Sequence, residues 1–192
     1  MKKTLKRKGI NMGKKVLVVS ASPRKQGNSD MLCDSFIKGA VEAGHEVEKI
    51  FLSDKNIGYC VACGTCMTES KSQCSQDDDM ADIINKLLYC DVYVLATPVY
   101  FYCMNAQIKT LIDRAVPIYR ELKNKEIYFI LTAADSETRA MDGTLVSLRG
   151  FTSILPGSKE KGTIYGLGMW GKGDAEKSPA MNDAYEMGKA MP

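Results

Sequence analysis

The chain has 192 residues, 45% apolar and 26% charged, with a formal net charge of +3. That size gives one domain with a sizeable core, and no apolar run approaches the roughly 18–20 residues of a membrane span. Five of the 26 basic residues crowd into the first eleven positions, and from Met12 onward 21 basic face 23 acidic side chains; a body so nearly neutral lacks the charge of a nucleic-acid groove.

The start, MKKTLKRKGINMGKK, is expected to be a basic, flexible arm over residues 1–13, with a single domain over 14–192. The apolar run behind it, residues 16–19, is too short for a signal core of about 7–15 residues and reads as a strand. Seven cysteines without a secretion signal then suggest a reducing, cytoplasmic compartment, where they are thiols or ligands rather than disulfides.

In chain order, KKVLVVSAS is a continuous apolar strand of the kind buried on both faces. SDMLCDSFIKGAVEAG repeats apolar positions at helical spacing and ends on Gly44, a plausible C-cap. HEVEKIFLS alternates like a strand near a sheet edge. A cysteine-rich loop follows, then Asp77–Asp79 open a helix over MADIINKLLYC. DVYVLATPVY is the third strand, and NAQIKTLIDRAV a helix with Asn105 as N-cap. KEIYFILTAAD is the fourth strand, residues 137–149 a looser helix, and KGTIYGLGMWG the fifth strand. SPAMNDAYEMGKAM is a last helix with Ser178 as N-cap and Pro179 at its first position. There is no internal repeat.

Strands alternating with helices imply right-handed crossovers and a parallel sheet covered on both faces. At this length the expected fold is a flavodoxin-like three-layer α/β sandwich with a five-stranded parallel sheet of order 2-1-3-4-5. Ligands in such sheets sit at the carboxyl ends of the strands, beside strand 1. That brings residues 20–29, 97–105 and 132–135 to one rim.

The first of these segments, SASPRKQGNS, joins a strand to a helix N-terminus, where free amides and the helix dipole favour an anion. Ser20, Ser22 and Ser29 offer hydroxyls and Asn28 an amide. Arg24 offers a fork, and Gly27 lets the backbone come close. This is a phosphate seat without a Walker lysine, so a magnesium nucleoside triphosphate is not expected. GLGMWG, residues 166–171, matches a dinucleotide pattern, but no helix starts within it and no strand follows; its glycines are expected to shape a loop.

Cys60, Cys63, Cys66 and Cys74 are spaced C-x2-C-x2-C-x7-C. The first three share the compact spacing that wraps a cubane cluster in bacterial ferredoxins, while the fourth departs from it. Zinc sites usually show two separated C-x2-C pairs, so iron–sulfur is favoured over zinc; cluster, zinc, and free or redox-active thiols all stay open on the residues alone. Cys33 and Cys90 read as helix-face packing, and Cys103 as a core thiol. His45, the only histidine, reads as packing or surface, Asp113–Arg114 as a surface pair, and Trp170 as core, subunit contact or lid.

SASPRKQGNS, TPVYFYCMNAQIKTLIDR and the cysteine loop before DDM together resemble the flavodoxin-like NAD(P)H-dependent FMN reductase and iron–sulfur flavoprotein family, over about residues 15–191. The resemblance implies that Ser20, Ser22, Arg24, Gly27, Asn28 and Ser29 bind the FMN phosphate. It places Thr97, Pro98, Val99, Tyr100 and Phe101 beside the flavin ring, with Thr132 and Ala133 as a third contact. Catalysis then belongs to the flavin and not to a side chain. NAD(P)H would reduce it, and a quinone, free flavin or nitroaromatic would reoxidise it at the same open face, giving ping-pong kinetics. The alternative is an electron carrier, with a 4Fe–4S cluster on the four cysteines taking electrons from a ferredoxin-like donor. The family's iron–sulfur flavoproteins carry such a motif with a cluster, and flavin-only relatives keep similar cysteines without one. A homodimer or tetramer is implied by the resemblance; membrane and nucleic-acid partners are not expected.

Overall fold

A computed structural model describes residues 13–68 and 74–192. Apart from Gly13, the expected flexible arm lies outside them. The elements run β1 Lys15–Ser20, α1 Asn28–Glu42, β2 Glu46–Phe51, α2 Thr65–Thr68, α3 Met80–Tyr89, β3 Val92–Tyr100, β4 Cys103–Met104, α4 Ala106–Arg114, β5 Glu126–Thr132, α5 Asp142–Thr152, β6 Lys159–Gly166 and α6 Ala180–Lys189.

The parallel sheet has the order β2-β1-β3-β5-β6, which is the five-stranded order expected from the sequence. Val16 and Val18 face one core with Leu32, Phe36 and Ala40 of α1 and Ala184 of α6. Leu17 and Val19 face the other, with Ile83 and Leu87 of α3, Ile108 and Leu111 of α4, and Leu148 of α5. A strand buried on both faces must be apolar at every position, hence the unbroken VLVV. The edge strands are charged: β2 reads EVEKIF and β6 begins KEKG, which discourages edge-to-edge pairing. On the first face α1 and α6 lie in close contact at Gly39 and Gly188. A Cβ on either would stand 2.0 or 2.1 Å from a carbonyl oxygen of the other helix, so only glycine lets these backbones meet.

Two strands differ from the expectation. The fifth strand stops at Gly166 rather than running through GLGMWG, because its ladder to β5 ends at Thr132. Beyond it Met169 N–H turns back to the Ala133 carbonyl at 2.8 Å. A sixth, two-residue strand also appears: β4 folds back antiparallel on β3, pairing Val99 with Met104 and Tyr100 with Cys103. Its two-residue turn is Phe101–Tyr102, with φ of 48° and 62°. Positive φ at both positions makes this a type I′ hairpin, a turn that normally takes Asn-Gly; two aromatic residues there carry strain of about 1–3 kcal/mol each.

Candidate functional site: a cleft at the carboxyl rim and a cysteine-lined hollow

The carboxyl ends of β1, β3 and β5 open into a cleft of about 620 Å³, within the roughly 300–1,000 Å³ of ligand pockets. Ser22, Pro23, Arg24, Asn28 and Ser29 form one wall and Pro98, Val99, Tyr100 and Phe101 the opposite one. Thr132 and Ala134 lie between, and Met169 and Trp170 complete the rim. A second hollow, about 330 Å³ beside Lys15, Glu46 and Tyr89, lies at the amino ends of β1 and β2, the end of a parallel sheet where ligands do not gather.

The first wall is held in shape from behind by Asp30, which sequence reasoning missed. Its carboxylate accepts from the Ser20 hydroxyl and the Gln26 amide, both at 2.9 Å, and pairs with Lys49 Nζ at 2.6 Å. Burial alone would raise its pKa; Lys49, the Gln26 amide and the Ser20 hydroxyl outweigh this and hold it below the ordinary aspartate value. Ser20 is therefore fully buried and committed to the loop's frame. Ser22 bridges the turn, donating to the Arg24 carbonyl at 2.8 Å and accepting from the Arg24 amide at 3.2 Å. Gly27 is the residue before α1 and has no side-chain cap. A Cβ on it would stand 2.7 Å from Ser22 Oγ and 3.0 Å from the Arg24 carbonyl, so the loop stays wrapped only around a bare glycine. The first amides of α1 have no acceptor within the helix. Arg24 is exposed at the rim, and among the described residues no carboxylate pairs with it.

Asn28 does something other than what was expected of it. Its Nδ2 donates to the Gly171 carbonyl at 2.7 Å, and its Oδ1 accepts from the amides of Gly173 and Ala175 at 3.1 and 3.2 Å. The side chain thus holds the 169–175 loop, which carries Met169 and Trp170 to the cleft. Trp170, 84% exposed, is neither core nor a closed lid here.

On the far wall, Thr97 and Ala133 stand behind the surface. Thr97 is fully buried and shares its hydroxyl with Asn105. Asn105 caps α4 by accepting from the Ile108 amide at 3.3 Å and donates to the Ala21 carbonyl, so one side chain ties β1 to the hairpin. Ala133 is buried, its amide bonded to the Gly166 carbonyl at 2.9 Å. Ser29 and Thr132 face each other across the cleft floor, hydroxyl to hydroxyl at 2.6 Å. The strained hairpin puts Phe101 at the rim fully exposed.

The four motif cysteines are brought together. Cys60, Cys63, Cys66 and Cys74 line one hollow of about 260 Å³, with Val61, Met67, Val116 and Pro117 as apolar neighbours. Residues 69–73 of this loop lie outside those described. Among the described residues no group of three or more His, Cys, Asp or Glu side chains converges on a single metal-ion position. The four cysteines share the lining of the hollow, and a 4Fe–4S cluster, unlike a single ion, takes its cysteine ligands around a cage of several irons. The Ser75 hydroxyl at 3.3 Å, then the Thr65 hydroxyl at 3.5 Å and the Thr65 amide, hold the Cys63 thiol down to about 7, favouring the thiolate a soft metal needs. Cys33 and Cys90 are buried, and burial pushes both up to about 12, as expected of packing thiols; Cys103 is exposed rather than core.

The loop is closed at its base by a buried ion pair, which corrects the reading of Arg114 as a surface residue. Lys109 takes Asp113 at 2.6 Å, while Arg114 turns inward, its side chain 1% exposed. It forks on Asp78 at 2.7 and 3.0 Å and donates to the Gly58 carbonyl at 2.7 Å. Asp78 also accepts from the Gly58 and Met80 amides, each at 3.0 Å. Arg114, these two amides and the Coulombic field hold its carboxyl below the usual range against its burial. The Asp78 contact, with Cys74 nearby, raises the Arg114 guanidinium in turn. His45 is a structural tie: Nδ1 accepts from the Lys14 amide at 3.1 Å, and Nε2 lies 3.3 Å from the Met191 carbonyl.

A doubly covered parallel sheet with its cleft at the β1 rim defines a flavodoxin-like protein. The model of the NADPH-dependent FMN reductase family matches residues 14–157, and the chain belongs to that family of FMN-dependent oxidoreductases. An iron–sulfur flavoprotein of Methanocaldococcus jannaschii is 33% identical over 158 residues, covering 79% of this chain and 80% of that protein. Another, of Archaeoglobus fulgidus, is 42% identical over 103 residues, 54% of this chain; the match spans 46% of that relative. Among solved structures, an NAD(P)H:quinone oxidoreductase from Methanothermobacter marburgensis superposes with a TM-score of 0.71 at 15% identity, covering 92% of this chain and 95% of its own, a likeness of fold. No described helix is long and apolar enough to cross a membrane.

Proposed function

We propose that the chain is a two-centre redox protein, with FMN in the rim cleft, a 4Fe–4S cluster on Cys60, Cys63, Cys66 and Cys74, and electrons passing between a ferredoxin-like donor, the cluster and the flavin. The observation that carries this is the gathering of four cysteines from one loop around one hollow, in a chain of an FMN reductase family whose relatives include proteins named iron–sulfur flavoproteins. When bound, FMN supplies one- and two-electron chemistry that side chains lack. The chain supplies the seat. The amides at the start of α1 and the Arg24 guanidinium take the phosphate, with Ser22 holding the turn between them. Gly27 keeps that loop open to it. Backbone groups of Pro98–Phe101 meet the edge of the ring, and Phe101, Met169 and Trp170 border its face at an open rim. Thr132 and Ser29 contribute hydroxyls at the floor.

A second reading, an NAD(P)H-dependent reductase of small acceptors such as quinones or free flavins, is favoured by the exposed rings of Phe101 and Trp170. They leave an open aromatic rim where a nicotinamide, and then an acceptor, can stack. Either reading is expected in a cytoplasmic homodimer or tetramer. Anaerobic purification followed by an absorbance spectrum and an iron assay tests the first: a broad brown absorbance with about four irons per chain is expected, and a yellow, iron-free protein contradicts it. Adding NAD(P)H alone then separates the two. Bleaching of the flavin without a donor protein selects the reductase.

A further inference from the structure

Arg114 is explained by neither the flavin cleft nor the sheet core. Its fork is fixed on Asp78 and Gly58, so the guanidinium is held at both Nη atoms and cannot swing to solvent. Its remaining nitrogen, Nε, is buried and has no hydrogen-bond partner among the described residues. A guanidinium N–H left dry in this way is costly and calls for an acceptor. The same side chain lines the cysteine hollow together with Cys60, Cys63, Cys66 and Cys74, and with Cys74 it also lines the adjoining hollow behind it. Because Asp78 occupies the Nη edge, Nε–H is turned away from that carboxylate.

We infer that Arg114 is a fixed cation and hydrogen-bond donor to the cluster held in the cysteine hollow, its unpartnered Nε–H available to a sulfur of that cluster and its charge making the cluster easier to reduce. This rests on the cluster reading above. Each electron accepted makes the cluster more negative, and a buried positive group with a hydrogen bond to sulfur stabilises the reduced form more than the oxidised one. Asp78 opposes that effect but does not line the hollow, and Asp113, which does, is paired with Lys109. A lysine at 114 would keep the charge without the planar fork or the Nε donor.

The test is a redox titration of the anaerobically purified full chain, followed by cluster EPR and flavin absorbance, in the parent and in Arg114→Gln, Arg114→Lys and Asp78→Asn. In Arg114→Gln the cluster's reduction equilibrium is expected to fall about tenfold, a drop of about 59 mV for one electron. Arg114→Lys should fall by less. Asp78→Asn, which removes the opposing charge, should move the cluster potential upward, a reversal that loosened packing does not produce. The flavin potential should stay at the parent value throughout. An unmoved cluster potential in both Arg114 variants overturns the inference and leaves the cluster reading standing, as does a shift of the same sign in Arg114→Gln and Asp78→Asn. If Arg114→Gln does not fold, the direction of Asp78→Asn decides. A parent chain without iron overturns the cluster reading, and this inference with it.

Discussion

The rim cleft and the cysteine hollow are held by different means. The cleft is made by the ends of β1, β3 and β5, whose spacing is fixed by the sheet ladder, and by loops fastened to that frame through Asp30, Asn28 and Asn105. The hollow hangs on a loop outside the sheet, and its geometry depends on one buried ion pair at its base, Arg114–Asp78, with Asn56 and Asp79 joined beside it at 2.7 Å. A site on a sheet end inherits its precision from the core. A site on a loop has to bring its own clamp, and a buried clamp is costly to break.

The largest expected effect follows from that contrast. Asp78→Ala leaves the Arg114 charge buried without its partner, which destabilises by about 3–5 kcal/mol; urea denaturation of the variant should show it, with the cysteine loop opening to proteolysis first. Equal losses in Asp78→Ala and in an exposed-pair variant such as Asp113→Ala would mean that the two regions are not held differently. Gly27→Val comes next. Its side chain collides with Ser22 Oγ and the Arg24 carbonyl, and FMN affinity should fall about a hundredfold, ~2.7 kcal/mol, while any bound iron is kept.

Asp30→Asn should weaken FMN by about tenfold, ~1.4 kcal/mol, through the loop it frames. Its pH signature is specific. The native pKa lies below the ordinary aspartate value of 3.8, so its contribution to stability is complete above that value and lost as pH falls through the lower native one. The Asn variant should show a shallower loss of stability over that acid window. Tyr102→Gly should stabilise the chain by about 1 kcal/mol, since glycine takes its φ of 62° without strain; a loss of stability would show that the hairpin's aromatic ring is held by packing instead. The smallest effect is chemical. Alkylation of cluster-free chain should begin at Cys63 with an inflection near pH 7, moving toward the ordinary thiol value of 9.0 in Ser75→Ala, while buried Cys33 and Cys90 stay unreactive.

The contrast also explains what could be read in the chain. Strand order and the rim were legible because VLVV, VYVLA and IYFIL are apolar without alternation, and strands of that kind belong in a covered parallel sheet. That the four motif cysteines gather at one hollow was legible from their spacing. Arg114 was not: it follows Asp113 in a helix, and a charge beside a charge looks solvated, whereas its partner Asp78 lies across the loop. Asn28 was assigned to a ligand because an amide at a helix start is a natural anion donor; that it grips residues 171–175 depends on where a loop more than 140 residues later returns. Asp30 was missed because nothing adjacent in sequence marks it, and only the register of β1 against β2 brings Lys49 to it. The Phe101–Tyr102 turn lacked the Asn-Gly pair that announces a hairpin.

The central claim is that two separate redox groups occupy the two regions, and the most direct measurement is the FMN and iron content per chain of anaerobic parent, Gly27→Val and Cys66→Ser. The account predicts about one FMN and four irons in the parent, loss of FMN alone in Gly27→Val, and loss of iron alone in Cys66→Ser. Iron retained by Cys66→Ser, or a parent that binds FMN and no iron, would contradict it.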